Sequence, residues 1–277
     1  MNKLSVYQRT KVISALVEGN SIRSTCRMTG VAKGTVLKLL GDIGLACFKY
    51  QDKHLVNLTS KRIECDEIWS FCHAKEQTLT TEDKGKYGYG DVWTFVALDA
   101  DTKLVVSWWA GKREPEDAYE FLRDVKRRLT NRVQLTTDGH HIYYYAVDGA
   151  FGDDIDYGML VKFYKSSPYV PAGRYSPGSV RKVEVKRIIG NPDRDKISTS
   201  YVERQNLTMR MNMRRFTRLT NGFSKKIENL IFAVALHYMC YNFVRIHKTL
   251  GCTPAMAAGV ADHVWSLEEI IGLLDSN

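Results

Sequence analysis

Apolar residues recur at helical spacing through the first fifty residues. They predict an amphipathic helix that ends near Gly19, carried by Leu4, Val12, Ile13, Leu16 and Val17. Ser21 is an N-cap residue for a short second helix, and Gly30 lies in the turn before a third helix. A short helix, a tight turn and a polar-faced helix predict a helix-turn-helix DNA-binding domain over residues 1–49. A plain three-helix folding unit is the alternative.

The hydrophobic period then changes from helical to alternating. Residues 50–61 are polar without a clear period, which predicts a linker. Three strand patterns with short connections follow and predict an antiparallel meander: 62–71, 92–98 and 104–109. The sequence therefore predicts that a sheet follows the helical N-terminal part.

Helical and strand patterns alternate beyond the meander. They predict a helix from Pro115, a strand at 133–138, a helix at 142–150 and a strand at 159–163. The order β-β-β-α-β-α-β, followed by helix, predicts an α/β fold with a mixed sheet. The expected units are a core over 62–215, a basic Pro-rich insertion at about 167–199 with a strand at 183–189, and a C-terminal helical segment over 216–277.

The positive charge is concentrated in two segments. The chain has 277 residues and a net charge of +9, and its 44% hydrophobic composition excludes a disordered or collagen-like protein. Residues 1–50 hold eight basic residues against two acidic ones, and residues 199–226 hold seven against one. Segregated basicity is typical of a polyanion-binding surface, with a solvated basic helix face as the alternative. In the first segment the residues expected to contact DNA are Arg23, Lys33, Thr35 and Lys38.

Other compositional features place the protein in the cytoplasm. No apolar run approaches the roughly 18–20 residues of a membrane span, and the N-terminus lacks the apolar region of a signal peptide. The six cysteines form no Cys-x-x-Cys pair and are expected to be reduced thiols. We expect a cytoplasmic protein with no membrane partner.

Three carboxylates stand out because of their neighbours. Asp66 lies within a predicted strand, Asp138 ends the fourth strand before a glycine, and Glu203 lies in the first turn of a helix. A carboxylate in a buried strand must be paired, hydrogen-bonded or metal-bound. Mg²⁺ and Mn²⁺ prefer oxygen ligands, and two ions can bind the attacking and leaving oxygens of a phosphodiester displacement.

Each carboxylate also has a structural interpretation. Glu203 could complement the helix dipole, and Asp138 could form a turn. Among the acids between Asp138 and Glu203, four could replace Asp138: Asp148, Asp153, Asp154 and Asp156. Asp138 is preferred because it directly follows an apolar strand. In a regular strand Asp66 shares a face with Glu64, and Glu67 points to the other face.

Four motifs resemble those of DDE transposases of bacterial insertion sequences. They are Asp66-Glu67-Ile68-Trp69, Thr136-Thr137-Asp138-Gly139, Tyr201-Val202-Glu203-Arg204-Gln205-Asn206, and an Asn-x-x-Arg-x-His-x-x-Leu segment from Asn242 to Leu250. The resemblance covers nearly the whole chain and implies a ribonuclease H-like, retroviral-integrase core behind the helix-turn-helix. The gap from Asp138 to Glu203 is longer than in the compact integrase pattern, and the insertion accounts for it.

The resemblance implies metal-dependent DNA cleavage at the element ends and strand transfer into target DNA. Asp66, Asp138 and Glu203 would hold two Mg²⁺ or Mn²⁺ ions. DNA would be contacted beside the site by Arg204, Asn206, Arg210, Arg214 and Arg215. The expected partners are double-stranded DNA (terminal inverted repeats and target) and further copies of the chain, as a dimer or higher assembly. Alternatives are a stand-alone ribonuclease H-like nuclease, a DNA-binding regulator and an inactive transposase derivative.

Overall fold

Three helices begin the chain. A computed structural model describes residues 4–164 and 180–275. The helices are α1 (Val6–Val17), α2 (Ile22–Thr29) and α3 (Lys33–His54). The Ser21 side chain accepts a hydrogen bond from the backbone N–H of Ser24, which confirms the predicted N-cap. Gly30 ends α2 with φ 71°, a left-handed conformation that favours glycine.

A six-stranded mixed sheet forms the centre of the fold. Its strands are β1 (Arg62–Cys72), β2 (Gly90–Asp99), β3 (Val105–Gly111), β4 (Gln134–Asp138), β5 (Asp156–Tyr164) and β6 (Val180–Ile189). They lie in the order β3-β2-β1-β4-β5-β6. The β1-β2, β2-β3 and β5-β6 pairs are antiparallel, and the β1-β4 and β4-β5 pairs are parallel. The predicted α/β class with a mixed sheet is confirmed, and the arrangement agrees with a ribonuclease H-like fold.

Within residues 4–164 and 180–275, six further helices surround or follow the sheet. They are α4 (Pro115–Arg128), α5 (Ile142–Phe151), α6 (Ser200–Asn212), α7 (Ile227–Met239), α8 (Pro254–Ala257) and α9 (Leu267–Gly272). A π-helical turn, Cys240–Val244, extends α7. Helix α6 ends at Asn212, shortly before the expected end of the core at residue 215. Short 3-10 turns occupy Glu76–Thr78 and Arg194–Lys196.

Helices cover both faces of the sheet. On one face Phe95 of β2 packs against Phe121 of α4, with ring centroids 5.6 Å apart, and against Tyr143 of α5 at 6.3 Å. On the other face Trp108 of β3 contacts Phe48 of α3 at 5.9 Å and Tyr238 of α7 at 6.2 Å. The fold is therefore a three-layer α/β structure whose second helical layer includes the N-terminal helix α3.

The predicted linker begins inside a helix. Helix α3 runs to His54, so the expected boundary at residues 49 and 50 falls within it. The Gln51 side chain donates hydrogen bonds to the carbonyls of Cys47 and Ala235, each at 3.0 Å, and Leu55 is 2% exposed. The polar sequence of residues 50–54 alone predicts no helix. Packing against α7 thus keeps this segment helical. The remainder, up to Lys61, connects α3 to β1.

One stretch has the length and mean hydropathy of a membrane span, although the sequence predicts none. It is Ile227–Val244, with a mean hydropathy of 1.2. In this structure 67% of the stretch is buried inside the protein, and α7 packs against α3. A buried core helix accounts for its apolar character.

Part of the predicted insertion lies outside the described residues. The segment 165–179 is not described, so the insertion predicted at about 167–199 is seen only from Val180 onward. There β6 runs from Val180 to Ile189, longer than the predicted strand at 183–189, and pairs with β5.

The α3–α7 contact generates a stability prediction. A Cβ added at Gly44 would lie 2.4 Å from the Cβ of Phe232 and 2.5 Å from its carbonyl oxygen, so the helices would have to separate. We expect Gly44→Ala to lower the free energy of unfolding by about 1–3 kcal/mol, measured by urea denaturation. Gly34→Ala, in the same helix with no atom within 4 Å, is the control and should be neutral or slightly stabilising. Equal effects of the two substitutions would contradict this packing account.

Candidate active site

Asp66 lies in the middle of β1, half-buried under helix α6. It pairs in register with Val96 of β2. The Asn206 side-chain amide donates a hydrogen bond of 2.8 Å to Asp66 Oδ2. One oxygen of the carboxylate is thus oriented by a residue 140 positions away in the sequence.

Asp138 is the last residue of β4, the parallel neighbour of β1. The backbone N–H of His140 donates a hydrogen bond of 2.9 Å to Asp138 Oδ1. This hydrogen bond closes a turn after β4 and fixes the Asp138 carboxylate at the end of the strand. Because β1 and β4 run parallel, the two aspartates lie on adjacent strands at the same part of the sheet.

Negative charge accumulates around Asp66. Burial, together with the nearby carboxylates of Glu67 and Asp138, raises the pKa of Asp66 to about 7. The hydrogen bond from Asn206 opposes this shift. Burial and Asp138 likewise raise the pKa of Glu67. Carboxylates crowded in this way are arranged as a cation site would require.

Glu67 and Glu64 point to opposite faces of β1, as the alternation predicts. Glu67 accepts hydrogen bonds from the Arg113 guanidinium at 2.5 Å and the Tyr143 hydroxyl at 2.7 Å, on the α5 side. Glu64 Oε2 accepts the backbone N–H groups of Tyr201 and Val202, at 2.8 and 3.1 Å, on the α6 side. Glu64 thereby anchors the N-terminus of the helix that carries Glu203 and Asn206, where a negative charge complements the helix dipole.

Glu203 does not join the two aspartates in this structure. Its Oε1 accepts a hydrogen bond of 2.6 Å from Thr199 Oγ1 and forms an ion pair with Lys162 of β5. Among residues 4–164 and 180–275, no group of three His, Cys, Asp or Glu side chains is placed to hold a metal ion. The pair Asp66 and Asp138 has the oxygen chemistry of a divalent-metal site, but the third predicted ligand is engaged elsewhere.

The four rival acids lie away from the pair. Asp156 begins β5 opposite Gln134, at the start of β4, whereas Asp138 ends β4 opposite Leu160. Asp156 forms an ion pair with Arg132, and Asp154 forms one with Lys126. Asp153 and Asp148 are exposed in the turn after α5 and on α5 itself. Their placement supports the preference for Asp138.

Several predicted DNA contacts line one cleft. A cleft of about 750 Å³ lies between α2, the start of α3 and the segment 214–229, and its lining includes Arg23, Lys33, Arg214, Arg215, Lys225 and Lys226. Thr35 and Lys38 are exposed on α3, where Lys38 forms an ion pair of 2.7 Å with Asp42. The two basic segments of the sequence therefore meet in space.

The predicted DNA contacts on α6 have different surroundings. Arg204 is exposed and Arg210 is half-buried. Asn206 is only 4% exposed and contacts Asp66, so its side chain supports the carboxylate rather than forming part of a surface. Asn206 lies one turn beyond Glu203 on α6, and this position brings its side-chain amide to the carboxylate of Asp66 in β1.

Sequence reasoning missed Lys162, Glu64, Arg113 and Tyr143 as site residues. A lone lysine in the apolar fifth strand was the available signal for Lys162. For Arg113 and Tyr143 no local signal exists, since both act through Glu67 from other elements.

Comparisons with known proteins find transposases by structure only. No protein-family model matches the chain, and no curated protein matches its sequence. The piggyBac transposase synaptic complex with hairpin DNA has a TM-score of 0.42 at 10% identity, covering 98% of this chain and 70% of that chain. The Mos1 mariner paired end complex with Mn has a TM-score of 0.27 at 11% identity, covering 86% and 77%. These neighbours are transposases, at similarities too low to transfer any residue role.

The raised pKa of Asp66 predicts a pH-dependent stability. A folded-state pKa of about 7 exceeds the roughly 3.9 of an unfolded aspartate, so stability falls as pH rises between these values. In metal-free buffer with EDTA, Asp66→Asn should therefore match the wild type near pH 4. Above pH 7 it should be more stable by about 1–3 kcal/mol, measured by urea denaturation across pH.

The control for this prediction is Asp153→Asn, which removes one exposed carboxylate at the opposite end of the sheet. It tests whether the loss of any negative charge gives the same result. A stability gain that is absent above pH 7, or shared by both variants, would rule out charge crowding around Asp66.

Proposed function

We propose that the protein is a DDE-type transposase that cleaves DNA at insertion-sequence ends and transfers the strand ends into target DNA. The observation that carries the proposal is the crowded carboxylate pair, Asp66 and Asp138, on adjacent parallel strands. Helix α6 lies against this pair and carries Glu203 one turn before the residue that contacts Asp66. Three of the four motifs of the resemblance supply β1, β4 and α6, the elements of this arrangement.

Asp66, Asp138 and Glu203 are the proposed ligands for two Mg²⁺ or Mn²⁺ ions. When bound, such ions supply activation of the attacking oxygen and stabilisation of the leaving oxygen. Asn206 holds Asp66 and the His140 N–H holds Asp138, so both carboxylates are oriented in advance. Glu203 must exchange its contact with Lys162 to join them, and this would free the ammonium for a backbone phosphate.

The DNA partner follows from the basic cleft. Helices α2 and α3 are joined by residues 30–32, and we propose that residues 1–49 act as a helix-turn-helix that holds the terminal inverted repeats. Lys33, Thr35 and Lys38 are exposed at the start of α3, beside the cleft lined by Arg23, Arg214 and Arg215. Phosphate neutralisation by this surface, with Arg204 and Arg210, would make binding strongly salt-dependent.

Assembly and location are part of the same proposal. Synapsis of two DNA ends requires two active sites, so we propose a homodimer or higher oligomer on DNA, in the cytoplasm with the nucleoid.

The Lys162–Glu203 ion pair favours a second candidate. A chain whose third carboxylate stays paired with a lysine would bind DNA without cutting it. Such a protein would be a DNA-binding regulator or an inactive transposase derivative.

The proposal predicts metal-dependent cleavage and joining at the ends of the DNA element that flanks the gene. A labelled duplex carrying those ends is incubated with protein in Mg²⁺, Mn²⁺ or EDTA. We expect nicking and strand joining in either metal. Because each would remove a metal ligand, we expect Asp66→Asn and Asp138→Asn to lower the rate at least ~100-fold.

Asp153→Asn is the matched control and should keep its activity. End-specific binding without cleavage in any metal would select the regulator or inactive derivative. Cleavage that has no end preference and no joining would select a stand-alone nuclease instead.

A further inference from the structure

A second cleft, of about 330 Å³, lies between the end of β1, the end of α6 and the segment that follows α6. Its aromatic lining is Trp69 and Phe71 of β1 and Phe223 of the segment between α6 and α7. Its basic lining includes Lys75, Arg210 and Arg215. We call it the aromatic cleft. Its size lies within the roughly 300–1,000 Å³ that is usual for small-ligand sites.

The three rings form a continuous aromatic wall. The ring centroids of Trp69 and Phe71 are 5.6 Å apart, and those of Phe71 and Phe223 are 4.6 Å apart. All three side chains are half-buried, so each ring keeps some exposed surface. The Lys75 ammonium lies 5.9 Å from the centroids of Trp69 and Phe71. An aromatic wall beside a cation suits a flat, electron-rich ligand that carries negative charge.

Three cations of the aromatic cleft, Lys75, Arg210 and Arg215, form no ion pair among the described residues. Over the two described ranges, 4–164 and 180–275, no carboxylate lies within ion-pair distance of Lys75, Arg210 or Arg215. Arg215 is hydrogen-bonded to Ser224 Oγ at 2.7 Å, and burial lowers its pKa to about 10. Burial of the Arg215 guanidinium with only a hydroxyl partner is costly, and an anionic ligand would offset this cost.

The rim of the aromatic cleft presents an unusual apolar residue. Leu219 is 77% exposed and adopts φ 61°, a left-handed conformation that is uncommon for a non-glycine residue. An isolated parallel β-bridge between the backbones of Cys72 and Ser224 holds the segment that carries Leu219 to the end of β1. Exposed leucines of this kind act in DNA-binding proteins as wedges between stacked bases.

The aromatic cleft adjoins the reaction site. Trp69 lies two residues beyond Glu67 on the same face of β1, and Arg210 lies one turn beyond Asn206 on α6. The Arg210 charge interacts electrostatically with Asp66. A nucleotide in this cleft would therefore be a near neighbour of any phosphodiester held at the carboxylates.

We propose that the aromatic cleft binds an unpaired nucleotide of the DNA strand next to the cleavage position. The base stacks on Trp69 and Phe71, and its phosphate is held by Arg210 and Lys75. This inference rests on DNA being the partner, as proposed above, and it adds that part of the strand is bound unpaired. Stacking on aromatic rings tolerates every base, so the cleft selects strand state rather than sequence.

Binding of two DNA probes in EDTA tests the inference without any dependence on catalysis. One probe is a labelled duplex, and the other is the same duplex with a short unpaired extension that contains 2-aminopurine. We expect the wild type to prefer the extended probe and to change the fluorescence of its 2-aminopurine. Trp69→Ala and the bulkier Trp69→Leu should weaken binding of the extended probe by roughly 5- to 150-fold, with little change for the plain duplex. Trp69→Phe should retain most of the preference.

Trp109→Ala, at another partly exposed tryptophan on the far edge strand β3, is the matched control and should keep the preference. Circular dichroism melts establish that each variant is folded. If the wild type binds both probes equally, or Trp69→Leu keeps the preference, the inference is wrong while the DNA partner stands. If neither probe binds to the wild type, both the inference and the DNA partner are wrong.

Discussion

The repulsion among three carboxylates at one place in the sheet is the constraint on which the surrounding structure depends. Burial disfavours the ionisation of Asp66 and Glu67, and the carboxylates around them, that of Asp138 included, act in the same direction. Each is held by a different element: Asn206 from α6, Arg113 and Tyr143 around Glu67, and the backbone of His140. Removal of water strengthens both the repulsion and the compensating hydrogen bonds. The site is thus stabilised from both faces of the sheet yet retains excess negative charge.

Helix α6 is the element through which this charge is linked to the rest of the molecule. Glu64 accepts two backbone N–H groups at its N-terminus, and Asn206 contacts Asp66 one turn after Glu203. The same helix continues into the basic segment that lines both clefts. A shift of α6 would therefore move Glu203 and the cationic lining together.

The N-terminal helices are fixed to the same framework. Helix α3 packs on α7 so closely that Gly44 leaves no room for a Cβ, and Gln51 bonds to the α7 backbone. The exposed residues at the start of α3 thereby have a defined position relative to the carboxylates. In the proposed function, DNA held by α2 and α3 would be presented to the active site along the cleft between them.

The sequence by itself determined the order of the elements and the places of Asp66 and Asp138 in their strands. Period-two alternation predicts β1, β2 and β3. The position of Asp138 after an apolar segment predicts its place at the carboxyl end of a strand. These features are local, because they depend on which face of one element is buried. The tertiary structure alone decided that α3 continues to His54, that Asn206 contacts Asp66, and that Glu203 pairs with Lys162. It also brought the two basic segments to one cleft. Each of these depends on long-range packing, and the periodicity of a single segment carries no information about the partner it will meet.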